Sequence, residues 1–131
     1  MPPTAKIRID LNSQVPAYRQ IVDALRVLLV DGTLPPGSEL PSVRRLAMEL
    51  GIHFNTVGEA YRALADEGWL DLRHGRGARV IARGAQPPVS PERFEELRTQ
   101  LRNLVAQMRA AGVTRSHVAA ELRSLLEGLN S

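Results

Sequence analysis

Between Leu40 and Thr56 two short helical patterns meet at a single glycine, and few chains can satisfy that arrangement in more than one way. Leu46, Ala47 and Leu50 recur at helical spacing, Gly51 supplies the backbone freedom for a sharp stop, and Val57, Ala60, Tyr61 and Leu64 restart the apolar stripe. This is the pattern of a helix-turn-helix, a unit whose second helix is shaped to enter a groove of DNA.

The flanking segments extend it. Ile7 and Ile9 alternate with polar residues across 6–10, which predicts a short strand, and Asn12-Ser13 turns the chain. Pro16 suits a first helical turn, after which Tyr18, Ile21, Val22, Leu25, Leu28 and Leu29 make one apolar face up to Gly32. Leu34-Pro35-Pro36-Gly37 is a turn, and helices follow over about 42–50 and 55–67. Beyond Gly68, residues 69–73 and 78–81 alternate as two strands around His74-Gly75-Arg76-Gly77, a hairpin whose glycines let its tip approach a partner closely. Helix, helix-turn-helix and hairpin form a winged helix, with Tyr61, Trp69 and the leucines assigned to its core.

No acidic residue falls between Leu72 and Pro91, whereas Arg73, Arg76, Arg79 and Arg83 all do, so the +3 net charge is locally concentrated in a way that favours a polyanion. The alternative for such a stretch is a solvated loop. The absence of cysteine removes disulfides, thiolate metal sites and a thiol nucleophile, and fits a reducing cytoplasm. His53, His74 and His117 are widely spaced, so no metal site or cofactor is expected. The first residues lack a signal-peptide pattern, and no apolar run approaches the roughly 18 residues needed to cross a bilayer. The expectation is a cytoplasmic protein with no membrane contact.

Ala85-Gln86-Pro87-Pro88 reads as a linker, after which Pro91 opens a long helix to about Ala111. Phe94, Leu97, Leu101, Leu104, Met108 and Ala111 alternate three- and four-residue spacings, a heptad seam suited to packing against another helix. Gly112 breaks it, Thr114 or Ser116 caps a final helix, and Val118, Leu122, Leu125 and Leu129 give that helix its own stripe. The fold class is therefore mainly α with a small β-hairpin wing. An N-terminal winged helix-turn-helix over 1–84 binds DNA, 85–90 is a linker, and a C-terminal helical hairpin over 91–131 serves dimerisation or effector response through Phe94, Leu97, Leu101, Leu104, Met108, Leu122, Leu125 and Leu129.

Taken in order, Pro16-x-Tyr18-x-Gln20-Ile21, Leu34-x-Pro36-Gly37-x-x-Leu40-Pro41-Ser42-x-Arg44-x-Leu46-Ala47, Asn55-Thr56-Val57-x-x-Ala60-Tyr61-x-x-Leu64, Glu67-Gly68 and Arg73-x-Gly75-x-Gly77 resemble the DNA-binding domain of GntR-type bacterial transcription regulators over roughly residues 7–82. The short two-helix C-terminal part resembles the YtrA-like subfamily, whose small effector region serves mainly in dimerisation. The resemblance implies that Arg44 reaches DNA, where a guanidinium donates bidentately to guanine O6 and N7 or to phosphate. Ser42 caps its helix or holds a phosphate. His53, Phe54, Asn55 and Thr56 correspond to the start of the recognition helix, where Asn55 and Thr56 either contact phosphates and base edges or cap the helix. The tip corresponds to a wing entering the minor groove, with His74 and Gly75 at the apex, Arg73 and Arg76 flanking, and Gly77 closing the turn.

Two departures shift the expected base preference. Phe54 stands where relatives often carry arginine or another polar residue, and Gly58-Glu59 stands where basic residues are common. Glycine there weakens the helix by up to about 1 kcal/mol, and Glu59 repels phosphate unless it accepts from a cytosine amine or pairs with Arg62. The function that follows is a sequence-specific regulator, a homodimeric repressor on an inverted-repeat operator of double-stranded DNA, with a transporter operon implied by the resemblance alone. The competing reading is an architectural or partner-recruiting protein with loose sequence preference. An enzyme is disfavoured because no nucleophile, base and orienting acid recur in a recognisable spacing. No effector is identified, and two short helices are poorly suited to enclose the roughly 300 Å³ that a small-molecule pocket needs.

Overall fold

A computed structural model describes residues 4, 7–73 and 78–129, and these divide into two compact units, Met1–Gly84 and Ala85–Ser131. In the first unit α1 (Ala17–Val30), α2 (Val43–Leu50) and α3 (Phe54–Asp66) pack beside a small antiparallel sheet of β1 (Glu39–Leu40), β2 (Leu70–Asp71) and β3 (Ala78–Val80) in the order β1-β3-β2. This is the winged-helix class expected from the sequence. Each helix buries one stripe: Ile21, Val22, Leu25 and Leu29 from α1, Leu46 and Ala47 from α2, and Val57, Ala60, Tyr61 and Leu64 from α3. The sheet closes that core with Leu40, Leu70, Ala78 and Val80.

The turn between α2 and α3 depends on Gly51, which sits at φ 69° in the left-handed region while its N–H donates back to Ala47 and Met48. Nothing lies within 4 Å of a Cβ built there, so conformation rather than space calls for glycine.

Three details of the chain differ from the sequence expectations. The strand foreseen over 6–10 does not form among the described residues, although Ile7 is buried and Ile9 packs on the core. Its hydrogen bonds go to a side chain instead: the Asp10 N–H donates to Gln20 Oε1 at 2.8 Å, and Gln20 Nε2 donates to the carbonyls of Asp10 and Val15 at 2.9 Å each. An amide side chain thus substitutes for a neighbouring strand. Pro16 lies at the cap position of α1 rather than inside its first turn. The stretch after the Pro35-Pro36-Gly37 turn supplies a third strand, with Leu40 opposite Ala78 and Glu39 opposite Arg79.

The C-terminus of α3 is tied to α1 and to the segments flanking the sheet through one residue, Glu67. The Arg26 guanidinium donates to both oxygens of Glu67, Trp69 Nε1 donates to Glu67 Oε1 at 3.1 Å, and Arg83 Nε donates to the Glu67 carbonyl at 2.8 Å. The Arg83 guanidinium also lies 4.6 Å above the centre of the half-buried Trp69 ring. Arg26 holds the Glu67 carboxyl below the usual carboxylate range, against the opposing effect of burial and with smaller help from Trp69 and Arg83. A depressed folded-state pKa contributes stability that is complete above the unfolded value and fades as pH falls through the folded one. Glu67→Gln is expected to cost roughly 1–2 kcal/mol at neutral pH and to flatten the loss of stability below about pH 4. Urea melts of both proteins at pH 7 and pH 3.5 check this, and an equal difference at the two pH values contradicts it.

The second unit contains α4 (Pro91–Ala110) and α5 (Arg115–Gly128). Ser90 Oγ accepts from Arg93 N–H and Thr114 Oγ1 from His117 N–H, so both helices begin on hydroxyl caps, with Pro91 following the first. Gly112, at φ 98°, turns the chain between them.

Candidate nucleic-acid interface

The start of α2 is held from beneath by a tyrosine. Tyr61 is buried in α3, and its hydroxyl donates at 2.8 Å to the carbonyl of Pro41, two residues before α2 begins. Burial pushes its phenol far above the ordinary value, so the hydroxyl stays a donor. Ser42 then caps α2, its Oγ accepting from Arg45 N–H at 3.1 Å. Two residues on, the Arg44 side chain is exposed, while Arg45 beside it pairs with Glu49 one turn along. The core thus fixes where Arg44 leaves the helix.

At the start of α3 the cap is His53, whose Nδ1 accepts from Asn55 N–H at 3.1 Å. In a neutral imidazole this leaves Nε2–H as an outward donor. The helix therefore begins at Phe54, one residue earlier than the sequence pattern indicates, and Asn55 lies inside the first turn instead of capping it. Asn55 is exposed and Thr56 half-buried, with the polar groups of neither used as the helix cap. His53 and Phe54 stack with ring centres 4.6 Å apart, and the Arg44 guanidinium lies 4.9 Å from the centre of the Phe54 ring. This contact joins the two helices at their exposed ends. Between them lies an open hollow of about 320 Å³ lined by Ser42, Val43, Arg44, Phe54, Gly58, Tyr61, Arg62 and Leu72.

Gly58 leaves that hollow open. A Cβ built on it would meet only Arg62 Nη1 at 3.4 Å and Val43 Cγ1 at 4.0 Å, both ordinary contacts. Gly58→Ala is accordingly expected to stabilise the protein by about 0.5–1 kcal/mol, raising its melting temperature by roughly 2–6 °C. A thermal melt that is unchanged or lower would mean that the methyl strains the α2–α3 contact. No ion pair joins Glu59 to Arg62 among the described residues, so the exposed Glu59 is not neutralised in the way the sequence allowed.

The arginines that follow Leu72 are less free than their spacing implies. Arg73 donates from Nε and Nη2 to the Asp71 carboxylate, at 3.0 Å and 2.9 Å in its shortest contacts, Arg79 pairs with Glu39 across the sheet, and Arg83 is engaged with Glu67 and Trp69. Of the carboxylates that pair with them, Asp71 borders the acid-free stretch and Glu39 comes from β1 across the sheet. His74, Gly75, Arg76 and Gly77 lie outside the described residues.

In the hairpin, Phe94, Leu97, Leu101 and Leu104 on α4, Leu122 and Leu125 on α5 and Leu129 at the C-terminal cap of α5 are all exposed, and Met108 is half-buried. Val118 is the one buried residue among those described in this unit, with Met108 and Val113 half-buried near the turn. The two helices leave most of both leucine stripes uncovered.

Against known proteins, residues 17–80 match the family model described as bacterial regulatory proteins, gntR family. The HTH-type transcriptional repressor YtrA of Bacillus subtilis is 36% identical over 107 residues, covering 82% of each chain. An uncharacterized HTH-type transcriptional regulator of the same organism, YhcF, is 32% identical over 91% of this chain and 97% of its own length. Among solved structures, YtrA from Sulfolobus acidocaldarius, a GntR-family transcription factor, aligns with a TM-score of 0.58 and 33% identity over 95% of this chain and all of that one. No helix among the described residues is long and apolar enough to cross a membrane.

Proposed function

This chain belongs to the gntR family of bacterial regulatory proteins, and on that footing we propose that it acts as a dimeric repressor seated on an inverted-repeat operator. It is a DNA-binding transcription regulator of the YtrA-like kind and not an enzyme. The observation that carries the finer reading is the uncovered pair of leucine stripes on α4 and α5: a patch of that extent calls for a partner surface, and a second copy supplies the same stripes by symmetry. A two-fold dimer presents two recognition helices, which an operator matches with two half-sites related by a dyad.

In this reading Arg44 donates to a guanine edge or a phosphate from the exposed face of α2, while Asn55, Thr56 and the outward Nε2 of His53 act from the start of α3. Ser42, spent on its cap, contributes a helix N-terminus and not a base contact. Gly58 supplies space. Glu59, unpaired with Arg62, accepts from a cytosine amine. Arg73 reaches phosphate by exchanging its Asp71 contact, and His74, Gly75, Arg76 and Gly77 form the minor-groove tip. Repression is supported by the description of the Bacillus relative, and a transporter operon by family resemblance alone.

Selection of duplexes from a random pool by the full chain tests this reading. The expected product has two half-sites in inverted order, about 10 base pairs apart centre to centre or a multiple of that. A product with no dyad, or equal affinity for selected and random duplexes, favours the architectural alternative and overturns the operator model.

A further inference from the structure

We propose that Phe54 is a specificity-determining residue that selects a thymine in each half-site by packing against its C5-methyl group. The inference rests on the DNA-binding reading of α2 and α3. Phe54 is the first residue of α3 and keeps 41% of its surface exposed, whereas Tyr61, the other aromatic of that helix, is buried in the core. The ring is also held in place: it stacks on His53, and the Arg44 guanidinium lies 4.9 Å from its centre. Beside it Gly58, one helical turn along, has no side chain to fill the space, so the exposed ring edge borders an open hollow that also contains Arg44 and Arg62.

A phenyl ring offers no hydrogen bond to a phosphate or to a base edge. Of the groups that the major groove presents, the C5-methyl of thymine is the apolar one, and it is the group such a ring can recognise. The neighbouring guanidinium confines the choice further, because Arg44 places a donor fork next to an apolar surface and so couples a polar contact with a methyl contact. Stacking on an extruded base is a poorer use of the ring, since His53 and Arg44 already pack on it.

The test uses the full chain and the duplex it selects, with each thymine replaced in turn by deoxyuridine, which deletes only the methyl. One position per half-site is expected to lose about three- to fivefold in affinity, as burial of a single methyl predicts. Phe54→Ala should erase that loss, binding the thymine and deoxyuridine duplexes equally, with its circular dichroism unchanged. Phe54→Leu, which retains an apolar surface, should keep part of the discrimination. A flat scan with the unmodified protein overturns the proposal while leaving specific binding intact, and so does a methyl effect of the same size in Phe54→Ala. A protein that selects no sequence fails the operator reading, and this inference falls with it. The scan of the unmodified protein decides the matter even where an alanine variant does not fold.

Discussion

Replacing Leu101 and Leu104 together by glutamate is expected to convert the protein to a monomer and to lower its affinity for a full operator by about 10²-fold or more, with little change for an isolated half-site. The two leucines lie within the heptad seam of α4 at 55% and 56% exposure, on a helix with no buried residue of its own. Exposed apolar side chains spaced in this way are stabilised by a second helical surface, and α5 leaves them uncovered. Two carboxylates per chain would face two more across the dyad, where desolvation and like-charge repulsion both oppose association. The operator effect exceeds the half-site effect because a dimer binds its second half-site as an intramolecular event, and that gain disappears with the dimer. Melting of the winged-helix unit should be unaffected, since the described residues of its core all fall between Ile7 and Val80. Sedimentation showing the unmodified protein monomeric at micromolar concentration, both free and on DNA, would remove the premise.

Periodicity made most of this architecture legible. The helices of the first unit appear where apolar stripes recur at three and four residues, and Gly51 and Gly112 turn the chain where the pattern breaks. What periodicity does not carry is a hydrogen bond between distant residues. Gln20 takes the place of a strand partner for Asp10, and Tyr61 anchors Pro41 across twenty positions, yet each looks from its own neighbours like an ordinary surface or core residue. Both residues fall within the ordered motifs that mark the family, so the resemblance flags the positions without supplying the reason. The strand at Glu39–Leu40 was hidden for another cause: two residues are too few to show alternation, and the strand exists because β3 is there to pair with it.

The candidate interface was legible in its residues and less so in its charges. A count of arginines after Leu72 suggests a free basic patch, but Asp71, Glu39 and the Glu67–Trp69 cluster engage three of the four, and Arg76 is not among the described residues. The exposed Arg73–Asp71 and Arg79–Glu39 pairs are weak, so a phosphate can displace the carboxylate in each. The same pairs nonetheless mean that the uncompensated charge of this stretch is smaller than its arginine count indicates. In the proposed reading, more of the discrimination therefore falls to the exposed ends of α2 and α3.

Arg44→Ala is therefore expected to weaken binding to the selected operator by about 1–3 kcal/mol per half-site, and to relax base preference at one position, with the thermal melt unchanged within about 0.5 kcal/mol. The side chain is exposed and, among the described residues, makes no hydrogen bond to the fold, packing instead on the Phe54 ring, so its removal costs little in the free protein. On DNA the cost is that of a fork-shaped donor withdrawn from a guanine edge or a phosphate, and the two can be told apart. A guanine contact makes the loss specific to the selected duplex and leaves random duplex almost unaffected. A phosphate contact lowers both equally and makes the dependence of affinity on salt shallower by about one unit per site. Arg44→Lys separates them again, because an ammonium replaces a guanidinium on a phosphate better than it does at the paired acceptors of guanine. Since Phe54 packs on the same guanidinium, combining Arg44→Ala with Phe54→Ala should cost less than the sum of the two changes. Unaltered operator affinity for Arg44→Ala, in a protein that still melts normally, would place DNA recognition elsewhere on the winged helix.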